Sequence, residues 1–189
     1  FGAQGYFKVI PDLACFGKTM ANGFPMAALV GKSEYMSVFD KDDFFISGTF
    51  GGDLIGITAS LATIKCLEYS ISNELVVLRT IWDSGNKLKN GFNSICKELN
   101  LDKINCIGYA PRTFFNFPTT EHKALFWQEC CKREILFGYA NFITYSHVEK
   151  IIHNTLNVCE ESLKIVKDNW DNPLSKLEGK LPIEVFRLR

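Results

Sequence analysis

The chain has 189 residues, 47% of them apolar and 22% charged, and 21 basic residues balance 21 acidic ones. That is the composition of a globular protein with one sizeable core or two small ones. Zero net charge argues against nucleic acid or an anionic membrane as the main partner, and no apolar run approaches the ~18–20 residues of a membrane-spanning helix. Seven cysteines, an odd number at irregular spacing and without a CxxC pair, read as reduced thiols of a cytosolic protein rather than as a disulfide or zinc framework.

In chain order, residues 1–11 read as a loop rich in glycine and aromatics, ending at Pro11. Residues 13–16 form a short buried strand, followed by Gly17-Lys18-Thr19 and the turn signal Asn22-Gly23. A second apolar run, 26–30, has no alternation and suits a strand covered on both faces. Ser33 opens a short helix over 34–39, and 41–45 is a charged, then aromatic loop.

Residues 47–53, SGTFGGD, form a glycine-rich loop directly before a helix over 54–69. That helix is apolar almost all round and so asks for burial on most sides. A loop of this kind at a helix start offers free N–H groups and a positive dipole end to an anion. A long helix follows over 74–99. Its stripe of Leu75, Leu78, Trp82, Leu88 and Phe92 is weakened by Gly85 and Gly91, by about 1 kcal/mol each relative to Ala.

Beyond position 101 the elements shorten: strands at 104–109 and 112–117, a helix over 122–134 and a strand at 135–140. Ser146-x-x-Glu149 is a capping-box signature, and the strongest helical periodicity of the chain runs from His147 to about Lys167. Asn172-Pro173 ends it, and the tail from 181 to 189 carries a proline and basic residues.

Several candidates resolve on residue chemistry alone. Gly-Lys-Thr also closes a triphosphate-binding loop, but that loop needs a glycine at position 12, which is Asp12. His122, His147 and His153 fall at helix starts or on a polar face without metal-ligand spacing, which favours capping and solvation. Arg112 heads a strand and reads as a surface strand end rather than a site residue. Trp82, Trp127 and Trp170 read as core or interface aromatics. Lys18 stands at a strand end inside a turn of small residues, where a primary amine can approach a bulky ring.

The stretch 11–32, PDLACFGKTMANGFPMAALVGK, closely resembles the lysine region of the class III, aminomutase-type pyridoxal-phosphate aminotransferases. The matching residues are Asp12, Leu13, Lys18, Gly23, Pro25, Ala27, Ala28 and Gly31, and a second match covers 47–62. The resemblance implies a fold-type-I α/β transferase: part of the large cofactor domain over 1–70, a connecting helix over 71–93 and a small α/β domain over 94–189. It implies that Lys18 carries the Schiff base to pyridoxal 5'-phosphate. Thr49, with Gly48, would bind the cofactor phosphate, usually that of the neighbouring subunit of a homodimer. The partners implied are an amine donor and a carbonyl acceptor.

Ala21-Asn22-Gly23-Phe24 replaces the family's glycine run, and Gly52-Asp53-Leu54 its Asn-Pro. Both favour intermolecular amino transfer over the glutamate-1-semialdehyde-type aminomutase reaction. The family's ring-nitrogen aspartate, glycine-serine phosphate loop and ring-stacking aromatic fall upstream of Phe1 in this pattern. The expectation is therefore the C-terminal half of an enzyme, inactive alone; a non-catalytic dimerisation or interaction half is the alternative.

Overall fold

A computed structural model describes residues 2–41, 43–71 and 74–182. The chain divides into two units, Phe1–Leu75 and Val76–Arg189. In the first, helix α1 (Gly2–Phe7) precedes strand β1 (Leu13–Phe16), which pairs antiparallel with β2 (Ala28–Gly31). The expected loop over 1–11 is thus a short helix in its described part. Val9 N–H donates to the Gln4 carbonyl beyond the helix end, with Lys8 in the left-handed region at φ +55°.

After β2 come α2 (Ser33–Met36), a 3-10 turn over Ser37–Asp40, and α3 (Leu54–Glu68). Strands β3 (Ser70–Ile71) and β4 (Glu74–Leu75) form a minimal hairpin where the long-helix pattern was expected to begin. The expectation of burial fails in this unit. Leu29 and Val30 of β2 are exposed, and on α3 only Gly56 and Ser60 are buried, while Leu54 is 76% exposed. The turn over Lys18–Ala21 packs on α3, yet much of the helix's apolar surface stays exposed.

The second unit closes its own core. Helix α4 (Val76–Glu98) runs into β5 (Asn105–Tyr109) and β6 (Arg112–Asn116), then α5 (Thr120–Lys132), β7 (Asn141–Phe142) and α6 (Glu149–Asp168). The sheet order is β5-β6-β7, all antiparallel. Helices α4 and α6 are strongly amphipathic, and their apolar faces meet the sheet and α5 around Phe92, Phe115 and Phe126. Phe92 stacks on Phe115 at 4.2 Å, and Phe126 meets both edge-on.

The two glycines that weaken α4 as a helix are what its packing needs. A Cβ at Gly85 would lie 2.0 Å from the Ala110 carbonyl oxygen, and one at Gly91 2.6 Å from Leu156.

Two boundaries differ from the sequence pattern. Residues 135–140 form no strand: Ile135 and Phe137 pack on the core while Leu136 is exposed, so the period-two alternation is present without a pairing partner. The capping box does not form. Helix α6 begins after Val148, because residues 144–147 close a turn in which the His147 ring accepts from the Thr144 N–H. The tail read over 181–189 lies outside the described residues beyond position 182.

Candidate active site

The β1–β2 ribbon exists to hold a turn. Its register runs from Leu13 opposite Gly31 to Phe16 opposite Ala28. At the open end Lys32 clasps Asp12 twice, its N–H donating to the Asp12 carbonyl at 3.0 Å and its amine pairing with the Asp12 carboxylate. Gly31 makes this approach possible, since a Cβ there would stand 2.5 Å from the Asp12 carbonyl oxygen.

At the closed end Gly17 is extended and Lys18 turns into the left-handed region at φ +50°. One 3-10 turn follows over Lys18–Ala21, capped by the Asn22 N–H on the Thr19 carbonyl. Ala21 is fully buried and anchors the turn. A non-glycine residue in this region costs roughly 1–2 kcal/mol, and such strain clusters at functional sites. The Lys18 side chain is exposed and has no hydrogen-bond or ion-pair partner among the described residues.

The 3-10 turn packs on α3, where a Cβ on Gly56 would come within 3.2 Å of the Pro25 carbonyl. The loop before α3 carries Gly48 and Thr49, both exposed. It is folded by two turn bonds, Gly51 N–H to the Gly48 carbonyl and Asp53 N–H to the Phe50 carbonyl. The Asp53 carboxylate then accepts the Gly56 N–H at 2.7 Å and caps the helix.

That cap changes the expectation for anion binding: the positive end of α3 already holds a carboxylate. What remains for an anion is the Thr49 hydroxyl and the N–H groups of Thr49, Phe50 and Gly52, which donate to nothing among the described residues. An uncommitted amine can condense with a carbonyl, and an uncommitted hydroxyl with neighbouring N–H donors can hold an anion. No bond joins Lys18 to Thr49 among the described residues. Asp12 and Asp53 stand in the sequence patterns without the roles of clasp and cap; an aspartate directly before an apolar helix is the signal that finds the cap.

The remaining candidates have structural roles. His122 is buried, not solvated: its ring bridges the Thr119 hydroxyl at 2.8 Å and the Trp170 carbonyl at 3.0 Å. His147 closes its turn, and His153 lies beside Asn157 on the surface. Cys96, Cys106, Cys130 and Cys159 are core residues. Burial pushes the Cys96 thiol up to about 12, and contact with Cys130 together with burial holds Cys159 protonated. Among the described residues no group of three or more His, Cys, Asp or Glu side chains could hold a metal, and no helix is long and apolar enough to cross a membrane.

Comparison with known proteins supplies the context. The pattern of the family described as aminotransferase class-III matches residues 1–110. The chain is 32% identical over 174 residues to a 3-aminobutyryl-CoA aminotransferase of Cloacimonas acidaminovorans, covering 88% of this chain and 40% of that protein. It is 29% identical over 179 residues to a glutamate-1-semialdehyde 2,1-aminomutase of Methanosphaera stadtmanae, covering 86% and 41%. An omega-transaminase from Sphaerobacter thermophilus superposes with a TM-score of 0.77 at 18% identity, over 88% of this chain and 41% of that one. A glutamate-1-semialdehyde-aminomutase from Pseudomonas aeruginosa PAO1 gives 0.69 at 15% identity, over 87% and 41%. The chain thus spans about two-fifths of the length of these relatives, and over that span it has their α/β fold.

Proposed function

The chain belongs to the class-III aminotransferases, and on that premise we propose that it carries the lysine side of a pyridoxal-phosphate site. The reaction is transfer of an amino group from an amine or amino-acid donor to a carbonyl acceptor. The cofactor, when bound, supplies an aldehyde carbon for the amine and an electron sink for charge left on the substrate carbon.

Each residue has a defined task in this reading. Lys18 holds the cofactor through Nζ. The same atom, freed, would be general base and then general acid, moving the proton between the substrate α-carbon and the cofactor's C4′ carbon. The left-handed backbone at Lys18 fixes the direction in which that amine leaves the ribbon. Thr49 donates its hydroxyl to the phosphate of an adjacent subunit in a homodimer, and Gly48 adds no side chain to obstruct that approach. Asp53, locked onto the Gly56 N–H, repels phosphate from the helix end and confines it to the hydroxyl and loop N–H groups. We assign residues 1–70 to the cofactor domain, 71–93 to a connecting helix and 94–189 to the small domain of a cytosolic enzyme.

The observation that carries the reading is the uncommitted Lys18 amine on a left-handed kink, inside the stretch that matches the family. The test is incubation with pyridoxal phosphate, borohydride reduction and mapping of the modified lysine by mass spectrometry. One equivalent at Lys18 is expected; labelling scattered over the surface lysines would overturn it. In an active full-length protein Lys18→Ala abolishes turnover and leaves the fold intact, and retained transamination refutes the assignment.

The aminomutase reading stays in play because relatives of that name match over 86% of the chain. Product analysis separates the two, since an aminomutase returns the amino group to the same carbon skeleton. A non-catalytic interaction half is favoured only by the exposed apolar face of α3, and specific labelling at Lys18 excludes it.

A further inference from the structure

Among the described residues of the first unit three are buried: Ala21, Gly56 and Ser60. Ala21 closes the 3-10 turn that starts at Lys18, while Gly56 and Ser60 stand one helical turn apart on one face of α3. The 3-10 turn packs on that helix. The enclosed part of this otherwise open unit is therefore the seat of the lysine turn.

Gly56 is the closest point of that seat. A Cβ there would stand 3.1 Å from the Asp53 carboxylate, 3.2 Å from the Pro25 carbonyl oxygen and 3.5 Å from the Met26 Cβ. Pro25 and Met26 belong to the segment that leads from the lysine turn into β2. Asp53 ends the loop that carries Gly48 and Thr49, and its carboxylate accepts the Gly56 N–H at 2.7 Å. The Ser60 hydroxyl donates to the Gly56 carbonyl at 2.8 Å, so it is satisfied within the helix. Gly56 is not among the residues with positive φ, and glycine is a poor helix former. What asks for glycine here is the close approach of residues 25 and 26.

We propose that Gly56 is a positioning residue for Lys18: lacking a side chain, it sets how closely the lysine turn rests on α3, and it holds the end of the Thr49 loop to the same point of the helix. The inference rests on the assignment of Lys18 as the cofactor lysine. A methyl group at 56 pushes its neighbours back by a few tenths of an ångström, a branched side chain pushes further, and the lysine turn moves with them. Misplacing a reacting group by about 1 Å can cost about a hundredfold.

The test measures, in the full chain, the pyridoxal phosphate concentration that half-saturates the borohydride-trapped label at Lys18. Lys65 and Lys97, both exposed, are the references in the same digest. Gly56→Ala is expected to raise that concentration about threefold and Gly56→Val about tenfold or more, with the reference lysines unchanged. Alanine favours the helix, so Gly56→Ala keeps α3 folded, read by its amide exchange, and separates position from folding. Ser60→Ala, on the same buried face, adds no bulk and should label as wild type. Unchanged half-saturation at Lys18 in both Gly56 variants overturns the role of Gly56 and leaves the assignment of Lys18 standing. An equal loss in Ser60→Ala also overturns it, because the seat would then act through the stability of α3 alone. A wild-type chain that labels Lys18 no better than Lys65 and Lys97 fails at the earlier assignment, and the inference falls with it.

Discussion

The two units treat similarly apolar sequence in opposite ways. In residues 76–182 each core helix has a polar side, and its apolar side meets a partner: Phe92, Phe126 and Leu163 are fully enclosed. In the first unit Ala21 is the one buried hydrophobic side chain among the described residues, and Ile55 and Leu61 of α3 are exposed by 62% and 54%. A helix with one apolar stripe is satisfied by one neighbour, whereas a helix apolar all round needs cover on every side. The proposed chemistry, Lys18 and Thr49, belongs to the unit whose apolar surface is still open; the unit that completes itself carries none of it.

This contrast can be broken most directly by deleting one side chain from each unit. Phe126→Ala should lower unfolding free energy by about 3–5 kcal/mol, read as a shifted urea midpoint. Leu61→Ala on α3 should change it by less than about 0.5 kcal/mol, the range of surface substitutions. Comparable losses for the two would mean that α3 is as well covered as the Phe126 core.

Gly85→Ala probes the close packing of α4. Helix propensity predicts a gain of about 1 kcal/mol, but the new Cβ would collide with the backbone at Ala110, and overpacking against rigid atoms costs about 1–3 kcal/mol. A stabilised variant in thermal melts would refute the close contact between α4 and residue 110.

Asn93→Ala should cost about 2 kcal/mol, because the Asn93 amide holds both the N–H and the carbonyl of Cys106 on the open edge of β5. Faster hydrogen exchange at the Cys106 amide is the local readout.

One further effect depends on pH. Glu129 is nearly buried on α5, and burial alone would raise its pKa. Hydrogen bonds from Lys132, Gln128 and Arg133 outweigh that and hold the carboxyl below its ordinary value of 4.5. A carboxyl depressed in the folded state contributes stability above its unfolded pKa and loses it as pH falls through the folded one. Glu129→Gln should therefore cost about 1.5 kcal/mol at pH 7 and progressively less below about pH 4.5. A penalty that stays constant from pH 7 to pH 3 would remove the charge from the explanation.

The sequence was most legible where local signals and packing agree. Strand β1 has its expected bounds because a short apolar run stands between Asp12 and Gly17, but its expected burial fails, Leu13 and Phe16 being exposed. Helices α4, α5 and α6 appear within one to three residues of their expected ends because their apolar residues keep the helical period. Two failures share one cause, a correct local pattern with an unseen partner. Residues 135–140 alternate like a strand, yet Ile135 N–H closes the end of α5 on the Cys130 carbonyl, and the strand itself forms at Asn141–Phe142. Ser146 and Glu149 spell a capping box, but Thr144 and His147 had already closed the turn. At the candidate site the lysine and the threonine could be named by resemblance. The Asp53 cap on the helix end that an anion was expected to use was not read, although an aspartate directly before an apolar helix signals it.

Lys18 itself has a consequence for sequence drift. At φ +50° a lysine is a poor choice of residue; glycine relieves the crowding of Cβ altogether, and asparagine is better tolerated there. A chain selected only to stay folded should abandon lysine at this position, and a randomised library sorted for stability alone should fill with Gly and Asn. A lysine that persists against that gradient is kept by a demand other than folding.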